Sequence, residues 1–212
     1  MAPKKVRKIS SSYHHGDLRA AILRSAERIL RREGLLKLSV RACARETGVS
    51  HTAPIHHFPN LGALLTALAA TGFERLAERL ETAMKKKNWK PADTSWAYIL
   101  FAQDNRELFY LMNDPGRLDS TNATLRAARR KAYEALGRSN SISLEAPSLE
   151  QVGLLTGKWA LSHGLALLML GGRLGALLRM APQGTTEEEL VQATLKKMTG
   201  EMVDAHQLSV SR

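Results

Sequence analysis

The chain has 212 residues, with 31 Lys and Arg against 20 Asp and Glu, for a formal net charge of +11 with His neutral. Hydrophobic residues make up 44% and charged residues 24%, the balance of a folded chain with material for a core, not of a disordered one. A single cysteine, Cys43, excludes a disulfide framework and a cysteine-rich zinc site and fits a reducing cytosol.

The first periodic segment runs from Asp17 to Glu33. Leu18, Ile22, Ala26, Ile29 and Leu30 recur at helical spacing, and Gly34 sits where a helix C-terminal glycine belongs. Ser39 is placed to cap a short helix from Val40 to Thr47, with Val40, Cys43 and Ala44 on one side. Gly48 breaks it, Val49 supplies an apolar anchor, and Ser50 is placed to cap a third short helix from His51 to His57. Two short helices joined by a glycine turn and packed on a preceding helix make a helix–turn–helix pattern. Its second helix projects so that its first residues enter a DNA major groove.

From residue 61 onward every segment reads as helix. Leu61–Met84 is long and amphipathic, Pro91–Gln103 follows, and Asn105 is placed to cap a segment ending at Met112. Asn113-Asp114-Pro115-Gly116 is a turn by composition, and Ser120–Leu136 is a helix closed by Gly137. After a loop-like stretch at 138–147, Ser148 with Gln151 forms a capping box for a helix reaching Leu170. Thr186 with Glu189 forms another for Glu187 to about His206. No segment has the alternation of a strand. The expected fold is all-α: a three-helix N-terminal domain at 13–60 behind a basic arm at 1–12, then a larger helical domain at 61–212.

The charge is uneven. Residues 1–60 hold 12 Lys and Arg against 4 Asp and Glu, and residues 61–212 hold 19 against 16. The N-terminal quarter is therefore the part expected to meet a polyanion. Membrane spans are not expected. The longest stretch free of Asp, Glu, Lys and Arg, Thr47–Phe73, contains two prolines and three histidines, and the most apolar run, Trp159–Gly172, is 14 residues. Met1–Lys8 is basic, but no apolar stretch follows it, so no secretory signal is expected.

With these segments in place, the chain resembles a TetR/AcrR-type transcriptional regulator. Tyr13-His14-His15-Gly16-Asp17-Leu18-Arg19 is similar to the opening of many members. So are Leu38-Ser39-Val40-Arg41, Ala44-Arg45-Glu46-Thr47-Gly48-Val49-Ser50-His51, and Ala53-Pro54-Ile55-His56-His57-Phe58. Phe101-Ala102, Leu108 to Met112 and Trp159 to Gly164 resemble the subgroup named for a Trp-His-Gly (WHG) signature in its C-terminal domain. The resemblance implies a cytoplasmic homodimer, paired through its last two long helices, that binds a palindromic DNA operator as a repressor. A small-molecule effector in the C-terminal domain releases it. A non-specific nucleoid-type DNA-binding protein and an effector-independent regulator are the alternatives. No catalytic constellation, metal site or cofactor motif is present, so neither enzyme activity nor a cofactor is expected.

The expected DNA-contacting residues are Lys4, Lys5, Arg7 and Lys8 of the arm, Tyr13, Arg41, and Ser50, His51, Thr52, Ala53 and His56 of the recognition helix. Two departures from the family matter: Ile55 stands where a phosphate-contacting tyrosine is common, and Leu61 where a lysine is common. The arm, Arg41 and the free amides at the start of the helix beginning at Leu61 are expected to compensate, so deleting residues 1–8 flattens the salt dependence of operator binding. Histidine titrates near neutrality, so operator affinity is expected to rise as pH falls. Trp96, Phe101, Phe109, Met112, Trp159 and His163 are the candidate effector contacts, with ordinary core packing as the alternative for each.

Overall fold

In the computed structural model, the backbone is described for residues 15–208 and side chains for 18–199. The described residues contain helices and turns and no strand. They divide into two compact units, one up to Leu64 and one from Leu65.

In the first unit α1 is His15–Glu33 and α2 is Val40–Thr47, with a single 3₁₀ turn at Leu35–Lys37 between them. The apolar stripe read from the sequence forms the core: Ile22, Ala26, Ile29 and Leu30 of α1 are buried with Leu38, Cys43, Ala44 and Phe58. Ser39 begins α2 as expected, its hydroxyl accepting from the Ala42 amide at 3.0 Å. Gly48 ends it in the left-handed region (φ 75°), donating back to the carbonyls of Ala44 and Arg45.

The expected third helix at His51–His57 is not an α-helix. Residues 51–52 form a turn and Ala53–His56 one 3₁₀ turn. Pro54 accounts for the change. It has no amide to donate to the Ser50 carbonyl, and its ring disfavours the α conformation at Ala53, so the chain closes tighter bonds. The Ala53 amide reaches Ser50, Ile55 reaches Thr52, and His57 reaches Pro54.

The helix α3 is Leu61–Met84, begun by the Asn60 side chain, which accepts from the Ala63 amide at 2.8 Å. In the second unit follow α4 (Pro91–Asp104), α5 (Arg106–Met112), α6 (Ala123–Arg138), α7 (Leu149–Leu170), α8 (Gly175–Leu178) and α9 (Glu187–Leu208). α4 packs against α7 and α9, and α6 against α7. Leu68, Leu80, Ile99, Phe101, Phe109, Leu111, Met112 and Leu125 are among the large side chains fully buried there.

Three boundaries differ from the sequence reading. α6 starts at Ala123 because Asn122, not Ser120, caps it, accepting from the Leu125 amide at 3.0 Å. Asp119 instead holds the amide and hydroxyl of Thr121. Gly137 lies inside α6, where a Cβ would stand 2.8 Å from the Ile142 carbonyl, so the glycine admits a close backbone approach and does not end the helix. Asn105 does not cap α5 with its side chain, which donates to the Phe101 carbonyl at the end of α4. The short α8 carries no sequence signal strong enough to mark it.

By length and composition α7 is the one described helix able to cross a membrane. It packs along α4 and buries Lys158 in its middle, where desolvation lowers the ammonium pKa.

Candidate DNA-contacting surface and effector cavity

The two units carry separate candidate sites. In the first, α2 is tied to α1 by polar contacts. The Thr47 hydroxyl donates to the Cys43 carbonyl at 2.7 Å, so the Ser25 hydroxyl supplies the hydrogen between Ser25 and Thr47 at 2.8 Å. Arg28 donates to Ser25, and Arg28 and Arg32 both reach Glu46, at 3.2 and 3.3 Å. Those two guanidinium groups hold the Glu46 carboxyl below its ordinary range. Part of the basicity of α1 is therefore engaged internally. Arg19 is engaged as well, lying over the Phe58 ring at 5.3 Å.

This packing fixes α2 and the turn after it. Arg41 is exposed in the first turn of α2, and Ser50, His51, Thr52 and His56 are exposed beyond Gly48, with Ala53 half-buried. Ser50 and Thr52 share a hydrogen bond at 3.2 Å, so the Ser50 hydroxyl faces its neighbour's side chain and caps no helix. The structure thus groups the expected base-reading residues on a turn. Ile55 is 51% exposed beside them, an apolar side chain held in water at the surface. Lys4, Lys5, Arg7, Lys8 and Tyr13 lie outside the described residues. Cys43 is buried, and desolvation pushes its thiol up to about 11, which keeps it protonated and unreactive near neutrality.

The second unit contains a cavity of about 240 Å³ between α3, α4, α6 and α7. Phe73, Leu76 and Leu80 line it from α3, Tyr98 from α4, and Arg129, Ala132, Tyr133 and Leu136 from α6. Of the expected contacts, Met112 and Trp159 line it. Trp96, Phe101, Phe109 and His163 do not. Phe101 is buried core and Trp96 is half-buried elsewhere on α4.

Phe109 and His163 form a layer behind the wall. The Tyr98 ring meets Phe109 edge-on with centroids 5.8 Å apart, and Trp159 lies 5.6 Å from His163. Tyr98 Oη and His163 Nδ1 are 3.0 Å apart. Burial pushes the Tyr98 phenol up to about 12 and lowers the His163 pKa, so a neutral phenol and a neutral imidazole share this hydrogen bond.

Tyr98, Asn113, Arg129 and Tyr133 line the cavity without any sequence signal having singled them out. The i, i+3, i+4, i+7 stripe of Arg129, Ala132, Tyr133 and Leu136 was available, but such a stripe does not say what it faces.

No protein-family model matches the chain, and no curated protein matches it in sequence. Solved structures do. A protein of unknown function from Rhodococcus sp. RHA1 is 32% identical over 89% of this chain and 96% of its own, with a TM-score of 0.70. The chain belongs to the same family as that protein. A TetR-family transcriptional regulator from Streptomyces coelicolor is 19% identical over 86% of this chain and 78% of its own, with a TM-score of 0.61. A TetR variant from Acinetobacter baumannii AYE, solved with minocycline, is 16% identical over 92% of this chain and 98% of its own, at 0.58. The fold is that of the TetR-family regulators. Within a TetR-type fold, the α2 turn occupies the helix–turn–helix position, and the cavity lies in the helical C-terminal part.

Proposed function

We propose that the protein is a sequence-specific DNA-binding transcriptional regulator of the TetR/AcrR type: a cytoplasmic homodimeric repressor that leaves a palindromic operator when a small molecule binds. The observation carrying this reading is the exposed polar set Ser50, His51, Thr52 and His56, held on a turn behind a capped and cross-braced α2, with Arg41 exposed in the first turn of that helix. Polar side chains with donors and acceptors suit base edges, and Arg41 suits a phosphate. The arm residues Lys4, Lys5, Arg7 and Lys8 and the ring of Tyr13 are proposed as further backbone contacts.

Effector binding is supported by the aromatic-lined cavity and by the minocycline bound to a protein of the same fold. In this reading Met112 and Trp159 touch the effector, and Phe109 and His163 set the wall behind it. The outer face of α7 supports pairing, since Leu149 is 89%, Val152 42% and Leu167 39% exposed there. A second copy covering that face accounts for a helix this apolar in a water-borne protein.

A nuclease footprint on the DNA upstream of its own gene tests the proposal. A protected palindrome with half-sites about one helical turn apart is the expected result. Uniform protection of any duplex overturns it in favour of a nucleoid-type protein.

A further inference from the structure

The cavity of the second unit has apolar and aromatic walls and a single formal charge. Its described lining contains no Asp, Glu, Lys or His, and the Arg129 guanidinium is its one ionised group. Four carboxylates of the surrounding segments are engaged by other arginines: Glu134 by Arg130, Glu81 by Arg138, Asp114 by Arg117 and Asp104 by Arg79. Among the described residues no ion pair joins Arg129 to any of them. It lies over the Phe73 ring at 5.3 Å, a contact that steadies its planar group while leaving the in-plane N–H donors for another acceptor.

Two neighbouring polar side chains are already engaged. The Asn113 side chain donates to the Phe109 carbonyl at 2.9 Å, and the Tyr98 phenol is bonded to His163. Charge selectivity at this site therefore falls to Arg129.

We propose that the cavity takes a compact aromatic or alicyclic carboxylate, its anion paired with Arg129 and its ring packed among Tyr98, Met112 and Trp159. This rests on reading the cavity as the effector site and adds the ligand's chemical class. Size fits the same class. An apolar cavity of about 150 Å³ holds benzene, so by that ratio about ten non-hydrogen atoms fill this one. A planar carboxylate matches the guanidinium fork with two parallel hydrogen bonds, which an amide or an amine cannot form.

Calorimetric titration of the full chain with 3-phenylpropanoate, 3-phenylpropanamide and 3-phenylpropylamine tests the assignment. The carboxylate is expected to bind about tenfold or more tightly than the amide, and the amine least of all. Arg129 is half-buried, and Arg129→Gln keeps a polar side chain of similar reach while removing the charge and the stack on Phe73. It is expected to abolish the preference for the carboxylate while leaving amide affinity in place, and Arg129→Lys is expected to restore part of it.

Equal affinity for carboxylate and amide, preference for the amine, unchanged carboxylate affinity in Arg129→Gln, or no binding of any of the three overturns the proposal. A gel-shift titration with the same carboxylate separates this inference from the functional reading. Tight binding with no release of DNA upholds the ligand class and removes effector control.

Discussion

Gly48 and His163 each do something their neighbours cannot. Gly48 holds φ at 75° between α2 and the exposed turn, and nothing lies within 4 Å of where its Cβ would be. A side chain there meets no clash, so the whole cost of Gly48→Ala is backbone strain, about 1 kcal/mol, read as a lower midpoint in urea denaturation. Gly48→Asn is expected to recover part of the loss, because asparagine tolerates the left-handed region better. An unchanged midpoint in the alanine variant would show that the turn relaxes.

His163 is different in kind. Burial lowers its pKa below the ordinary 6.5, so below that pH the unfolded chain takes up the proton first. Stability therefore falls as pH drops through 6.5 toward the folded pKa and is unaffected by this group above it. His163→Gln is expected to flatten that part of the pH–stability curve relative to wild type, and a curve of identical slope would place the imidazole in water.

The helix–turn segment shows which signals a sequence carries and which it does not. Local chemistry was legible: Ser39 before α2, the Ser148–Gln151 box before α7 and the Thr186–Glu189 box before α9 all form as their spacing implies. The step from helix to 3₁₀ turn at Ala53–His56 was harder, because Pro54 is tolerated in the first turn of a helix and decides the outcome only together with the bond it withholds from Ser50. The cavity was least legible. Met112 and Trp159 stand out in the sequence as large apolar groups, whereas Arg129 is an ordinary surface cation until α3 places Phe73 beneath it.

On the helix–turn segment, the proposed division of labour between the Arg41 charge and the polar groups of the turn predicts two phenotypes. Arg41→Ala is expected to weaken binding to operator and to unrelated duplex alike and to reduce the slope of log affinity against log salt by about one. Thr52→Ala is expected to leave that slope unchanged and to relax preference at one base position, by about 1–3 kcal/mol. Binding isotherms at several salt concentrations on operator and scrambled DNA read both. A slope unmoved by Arg41→Ala would remove it from the phosphate backbone.

For the whole molecule, a net charge of +11 suits the proposed DNA partner, and the proposed palindromic site requires two copies. The outer face of α7 is where pairing is proposed, and its composition permits a clean test. Gly153, Gly157 and Gly164 lie on this helix, and a Cβ at any of them meets nothing within 4 Å inside the protomer. Gly157 is exposed, and arginine is a better helix former than glycine, so Gly157→Arg is expected to leave the protomer folded or slightly more stable. Across a two-fold interface the same substitution sets two guanidinium groups against each other where small residues let backbones approach. Sedimentation equilibrium is expected to give the mass of one 23.4 kDa chain for the variant and twice that for the wild type, with operator affinity lost in parallel and thermal stability of the protomer retained. A variant that still sediments as a dimer would move the interface off α7, and the exposed Leu149, Val152 and Leu167 would then need another partner.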